Sequence, residues 1–119
     1  MEPELAEGIE LFNQGRFFDC HEVLEKIWMI EGDPQKKFYQ GIIMVAMAFY
    51  RFEKKVYSGA AELLKLRRQP LEKFRPSYFG VDVEKMLEET DPWLLIFEEA
   101  KSGRKIELLP LSPKIRIKA

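Results

Sequence analysis

Thirteen consecutive residues, Phe38 to Tyr50, carry no charge. A membrane-spanning helix needs about 20 apolar residues, so this run is too short to cross a bilayer. It is also too apolar for a surface helix. It therefore predicts a central helix covered on nearly all sides. Gln40 is the one clearly polar side chain within it, and a buried amide must find partners. Glu22, Glu25 and Asn13 are the expected ones. Met44 and Met47 read as core filler.

The punctuation around this run is helical. Gly15 follows the periodic residues Leu5, Ile9, Leu11 and Phe12, and can end a helix in the left-handed conformation. A second apolar run spans Phe17 to Glu31 and stops at Gly32. Asp33-Pro34 and Asp91-Pro92 each read as an N-cap followed by a first helical residue. Ser58 and Asp82 are further caps, and Pro70 and Pro76 break the chain between them. Gly15, Phe17, Cys20 and Leu24 recur about 39 residues later as Lys54, Val56, Gly59 and Leu63. Their spacing echoes a tetratricopeptide hairpin, but two copies make a compact bundle rather than a solenoid. The expected fold is all-α: two antiparallel helical hairpins followed by two shorter C-terminal helices. One domain over residues 1–104 is expected, with an extended arm at 105–119, where Lys114 to Lys118 alternate weakly.

Composition narrows the function classes. The net charge of -1 offers no global field to recruit nucleic acid or a membrane. The acidic start, Met1-Glu2-Pro3-Glu4, is unlike a secretory signal. The single cysteine, Cys20, forms no intrachain disulfide and fits a reducing, cytoplasmic setting. Asn13 and Thr90 are the only residues of their types while Lys and Glu abound, a bias of proteins that work hot. The charges come in blocks: -7 over residues 1–35, +7 over 36–79, -5 over 80–103 and +4 beyond. Oppositely charged segments packed side by side explain this pattern. The alternative is an anion-binding patch at Lys65, Arg67, Arg68, Lys73 and Arg75. Neutralising acids nearby argue against sequence-specific nucleic-acid recognition by it.

One cluster has the residue types that chemistry needs. In Cys20-His21-Glu22-Val23-Leu24-Glu25-Lys26-Ile27-Trp28, helical spacing places His21, Glu25 and Trp28 on adjoining parts of one face. Glu22 lies further round. A histidine one turn before a carboxylate can form a general base with its orienting partner. It can equally be an interior anchor that joins two helices. A zinc helix would need a second histidine where Glu25 stands, and Cys20 points about 100° away from His21. The sequence therefore assigns no metal set and no Cys–His nucleophile. The candidate pocket lies between the second and third helices, at His21, Glu22, Glu25, Trp28 and Gln40.

These residues resemble a known family. Phe12-Asn13-Gln14-Gly15-Arg16-Phe17, His21-Glu22-Val23-Leu24-Glu25 and Trp28 are similar to the signature of domain of unknown function 309. The likeness continues through Gln40-Gly41, Gly59-Ala60, Leu63-Leu64 and Gly80-Val81-Asp82-Val83, from about residue 5 to 100. It implies a compact multihelical bundle and no established activity. Some members carry a histidine near the end of the central helix, where this chain has Arg51. The usual Gly-Asn turn is here Lys55-Val56. The departure at Arg51 speaks against a two-histidine metal site.

Three functions fit the sequence. The first is a non-catalytic module that binds a peptide or small molecule in a groove between the hairpins. The second is a hydrolase-like or metal-assisted enzyme built on His21, Glu22 and Glu25. The third is an anion or nucleic-acid binder through residues 65–75. Cofactor and self-association are left open.

Overall fold

The computed structural model describes residues 1–118. Six helices follow in order: α1 (Pro3–Asn13), α2 (Phe17–Ile30), α3 (Gln35–Glu53), α4 (Tyr57–Leu66), the four-residue α5 (Arg68–Leu71) and α6 (Val83–Lys101). Between α5 and α6 come one 3-10 turn, Glu72–Phe74, and a two-strand hairpin of β1 (Ser77–Tyr78) and β2 (Val81–Asp82). The fold is all-α. No helix among the described residues is long and apolar enough to cross a membrane.

α3 is the axis, as its uncharged run requires. α2 lies along one side of it, α4 and α5 along another. Gly41 is where α5 comes closest: a Cβ there would run into the Leu71 side chain. Phe12, Phe17, Phe49 and Phe97 pack edge to face at one end of the core. Phe38 and Phe74 do so at the other. Each such ring removes its whole apolar surface from water, which is the main stabilising term.

The two hairpins share one turn. Arg16 N–H donates to Leu11 O and Gly15 N–H to Phe12 O, both at 2.9 Å. Val56 and Lys55 repeat these bonds to Arg51 O and Phe52 O at 2.8 and 3.0 Å. This pair of bonds closes a helix on a left-handed residue. That residue is Gly15 at φ 78° in the first hairpin and Lys55 at φ 63° in the second. Residue 15 therefore corresponds to 55, and Cys20 to Ala60, both buried at the helix crossing. The repeat thus runs at 40 residues, one more than the spacing that pairs Gly15 with Lys54.

Several boundaries differ from expectation. Asp82 does cap α6, accepting from Lys85 N–H at 2.9 Å. Asp91-Pro92 starts nothing: α6 continues through it for 19 residues, replacing the two short helices expected. The Asp91 carboxylate is instead held by Arg67 and Arg68 from the preceding hairpin. Neither Asp33 nor Ser58 caps a helix; α3 and α4 begin without a side-chain cap. Of the arm expected at 105–119, residue 119 lies outside the described residues. The rest is docked. Asn13 exchanges two hydrogen bonds with the Ile115 backbone, at 2.8 and 2.9 Å. Ile117 bridges Val81 beside the strand hairpin.

A left-handed lysine costs about 1–2 kcal/mol that glycine does not incur, offset in part by glycine's freedom in the unfolded chain. Lys55→Gly should therefore stabilise the protein by roughly 0.5–1 kcal/mol in urea unfolding. A variant less stable than the parent would show that residue 55 is not held at positive φ.

Candidate functional site

α2 presents His21, Glu25 and Trp28 one turn apart towards α3. His21 Nε2 lies 2.7 Å from Glu25 Oε2, with the two side chains 20% and 45% exposed. The ring of Phe18 sits 5.2 Å from the imidazole. With Nε2–H donating to Glu25, Nδ1 is a bare acceptor. It is buried and has no partner among the described residues, and the same holds for the indole Nε1 of Trp28. Lys36 covers the Trp28 ring at 4.2 Å and donates to Trp28 O at 2.9 Å. Its ammonium thus closes the end of α2 and leaves the indole N–H unspent.

α3 leaves one strip uncovered. Lys37, Gln40, Met44, Met47 and Arg51 follow each other at intervals of three and four, so they share a face. Lys37, Gln40 and Arg51 are exposed and the methionines half-buried. Gly59 of α4 lets Arg51 lie flat at the far end; a Cβ there would meet Arg51 Nη1 at 3.0 Å. A cleft of about 340 Å³ lies between this strip, the α2 groups and Leu63 of α4. A second, of about 360 Å³, continues from Gln40 and Met44 towards Leu66, Pro70 and Lys73. Lys37 to Arg51 spans about 21 Å of helix.

The structure thus brings His21, Glu25, Trp28 and Gln40 to one cleft. Glu22 is outside that cleft, but it shares a shallow depression on the outer side of α2 with His21, Glu25, Lys26 and Met29. Gln40 is exposed, against the expectation of a buried amide, because α2 and α4 flank α3 without closing over it. Asn13, one of its expected partners, is engaged by Ile115. Arg51, Met44, Met47 and Leu63 were not named as site residues. The spacing of the α3 strip was the signal for three of them, hidden because methionines read as filler. Cys20 is fully buried, which pushes its thiol up to about 12 and keeps it protonated. No three His, Cys, Asp or Glu side chains converge on a metal-sized point among the described residues.

The basic segment is largely spent on ion pairs. Arg67 is buried, 1% exposed, donating to Thr90 Oγ1 at 2.9 Å, Leu64 O at 2.8 Å and Asp91. Burial holds its guanidinium below the ordinary arginine range, with Asp91 opposing that shift. Arg68 pairs with Asp91 and Glu72, and Arg75 with Glu84 and Glu72. Lys65 pairs with Glu98 at 2.7 Å, which raises the lysine and lowers the carboxyl. Lys73 alone of the five has no acidic partner among the described residues; its ammonium lies 5.4 Å from the Phe74 ring. Arg67 cannot meet a ligand at all, so the five do not form one free cationic surface.

A family model described as Domain of unknown function (DUF309) matches residues 5–63. That segment runs from α1 into α4 and contains both hairpin turns and the His21–Trp28 motif. Gly80 to Val83 lie beyond it, so the likeness read there is not part of the match. An uncharacterised protein of Aquifex aeolicus is 34% identical over 62 residues, covering 51% of this chain and 19% of that protein. The uncharacterised protein YpuF of Bacillus subtilis is 37% identical over 51 residues, covering 40% of this chain and 28% of that protein. The chain therefore spans under a third of either relative.

The half-exposed His21–Glu25 pair has the energetics of a surface interaction rather than of an interior anchor. His21→Ala should cost under about 1 kcal/mol in urea unfolding. A loss well above about 2 kcal/mol would show that the imidazole anchors the core after all.

Proposed function

We propose that the DUF309 segment of this chain, residues 5–63, together with α4 and α5, forms a peptide-binding module whose groove is the uncovered strip of α3. The observation that carries this reading is a cleft lined by His21 and Trp28, whose Nδ1 and Nε1 are buried without partners among the described residues. Leaving such groups unpaired is costly, and a ligand that pairs them recovers the cost. A peptide backbone offers both complements. Met44, Met47, Ile43 and Leu63 supply an adaptable apolar floor for its side chains.

Charge selects the peptide. Arg51, Lys37 and Lys73 border the two clefts without acidic partners among the described residues. Glu25 is the one acid of the lining, and His21 holds it. The occupant is an acidic, partly apolar segment in extended form. At about 3.3 Å per residue, the groove accommodates roughly six residues. The domain's small share of both relatives suits a module carried within longer chains. Catalysis has less behind it: no Ser, Thr or Cys among the described residues lines the cleft, and Glu22, which shares only a shallow depression with His21 and Glu25, is outside it. Binding of nucleic acid by residues 65–75 is less well supported for the same kind of reason, since four of its five cations are paired.

Selection from a random peptide display library on the intact protein tests the proposal. Recovered peptides should be rich in Asp, Glu and apolar residues. Arg51→Glu and Met47→Asp should each weaken them by roughly tenfold or more without unfolding the domain. Recovery of basic peptides, or of peptides indifferent to both substitutions, would refute it.

A further inference from the structure

A cavity of about 730 Å³ lies between the start of α1, the α2–α3 junction, the turn of the strand hairpin and the arm. Glu2, Glu31, Gln35, Tyr39, Phe79 and Ile117 are among its lining residues. Among the described residues no lysine or arginine lines it, but Met1, with its α-ammonium, does. Neither Glu2 nor Glu31 has an ion-pair partner among the described residues. Tyr39 is 0% exposed, yet its hydroxyl is without a hydrogen-bond partner.

From this combination we infer a second binding site, one for a primary organic ammonium ion. An R–NH₃⁺ group has three N–H donors and no acceptor. The cavity has the matching acceptors: two unpaired carboxylates and the Tyr39 Oη. Phe79 adds the face of an aromatic ring, which attracts a cation. Its ring centroid lies 6.5 Å from that of Tyr39 and 4.3 Å from that of Tyr78. Ile117 and Pro3 offer apolar surface to the ligand's carbon chain.

The field in the cavity decides the sign of the ligand. The positive ends of α1 and α3 face this region, each equivalent to about half a charge. With the α-ammonium of Met1 they balance the two carboxylates, so the groups that act on the Tyr39 hydroxyl set the local sign. The neighbours that act on the Tyr39 hydroxyl do so in one direction: Glu31, Glu2 and Glu4 add to burial and push it up to about 12. The phenol is therefore neutral near pH 7, with its oxygen lone pairs available to a donor. This site shares no lining residue with the α3 groove, so the two stand or fall separately.

Calorimetric titration of the full chain with n-butylammonium chloride, at constant ionic strength, tests the site. Saturable one-to-one binding is expected. Tetramethylammonium, which has no N–H, should bind about tenfold or more weakly, and acetate not at all. Tyr39→Phe and Glu31→Gln should each weaken n-butylammonium about tenfold. The unliganded Tyr39→Phe protein should melt no lower than the parent, because its lost hydroxyl had no partner. Absence of saturable n-butylammonium binding at millimolar concentration would overturn the inference. So would preference for acetate, binding indifferent to both substitutions, or a Tyr39→Phe variant that melts lower.

Discussion

A helix with thirteen uncharged residues in succession must be covered, and the covering of α3 organises this molecule. Phe38, Tyr39, Ile42, Val45, Ala46 and Phe49 are buried almost completely. Burying side chains of this size contributes about 1.5–3 kcal/mol each before entropy is subtracted. α2 supplies one wall. α4 and α5 supply the other, with Leu71 seated over Gly41. Two walls of this kind leave a strip, and on that strip the sequence changes character: Lys37, Gln40 and Arg51 replace Phe and Ile. The same helix is therefore core towards its walls and exposed along the strip.

The cover has to be held in place, and Arg67 does that for α6. Its guanidinium reaches Thr90 and Asp91 on α6 while still bonded to Leu64 O at the end of α4. Its Nη2 also lies 3.4 Å from Leu87 O. A buried charge is tolerable only when nearly every donor is matched, and here they are. Thr90 donates in turn to Met86 O at 2.8 Å. These contacts surround the point where Pro92 removes a backbone donor from the helix. They account for a 19-residue helix where local rules call for two.

The local rules succeeded where local physics decides. Asp82 caps a helix and Gly15 ends one because each outcome depends on a few neighbouring residues. His21, Glu25 and Trp28 share a face because 3.6-residue periodicity places them there. The rules failed where a distant partner decides. Asp91 looks like a cap until Arg67, 24 residues earlier, takes its carboxylate. Arg67 itself sits in a basic run that reads as surface, and nothing near it in the chain reveals Thr90 as its partner. Gln40 reads as buried because an apolar helix implies complete cover; how far α4 and α5 extend over α3 is set by packing between hairpins. Tyr39 reads as one more aromatic of the core, although its hydroxyl is buried without a partner and the residue lines a cavity together with Glu2 and Glu31 from separate segments.

The central claim is that the open strip of α3 is where a partner docks. The methionine methyl groups report on it directly. In a sample with ¹³C-labelled methionine methyls, Met44 and Met47 mark the strip, Met86 marks the core, and Met1 and Met29 mark other surfaces. Titration with an acidic, partly apolar peptide should shift the Met44 and Met47 signals and leave Met86 in place. Shifts confined to Met1 or Met29, with Met44 and Met47 unmoved at saturation, would contradict the account.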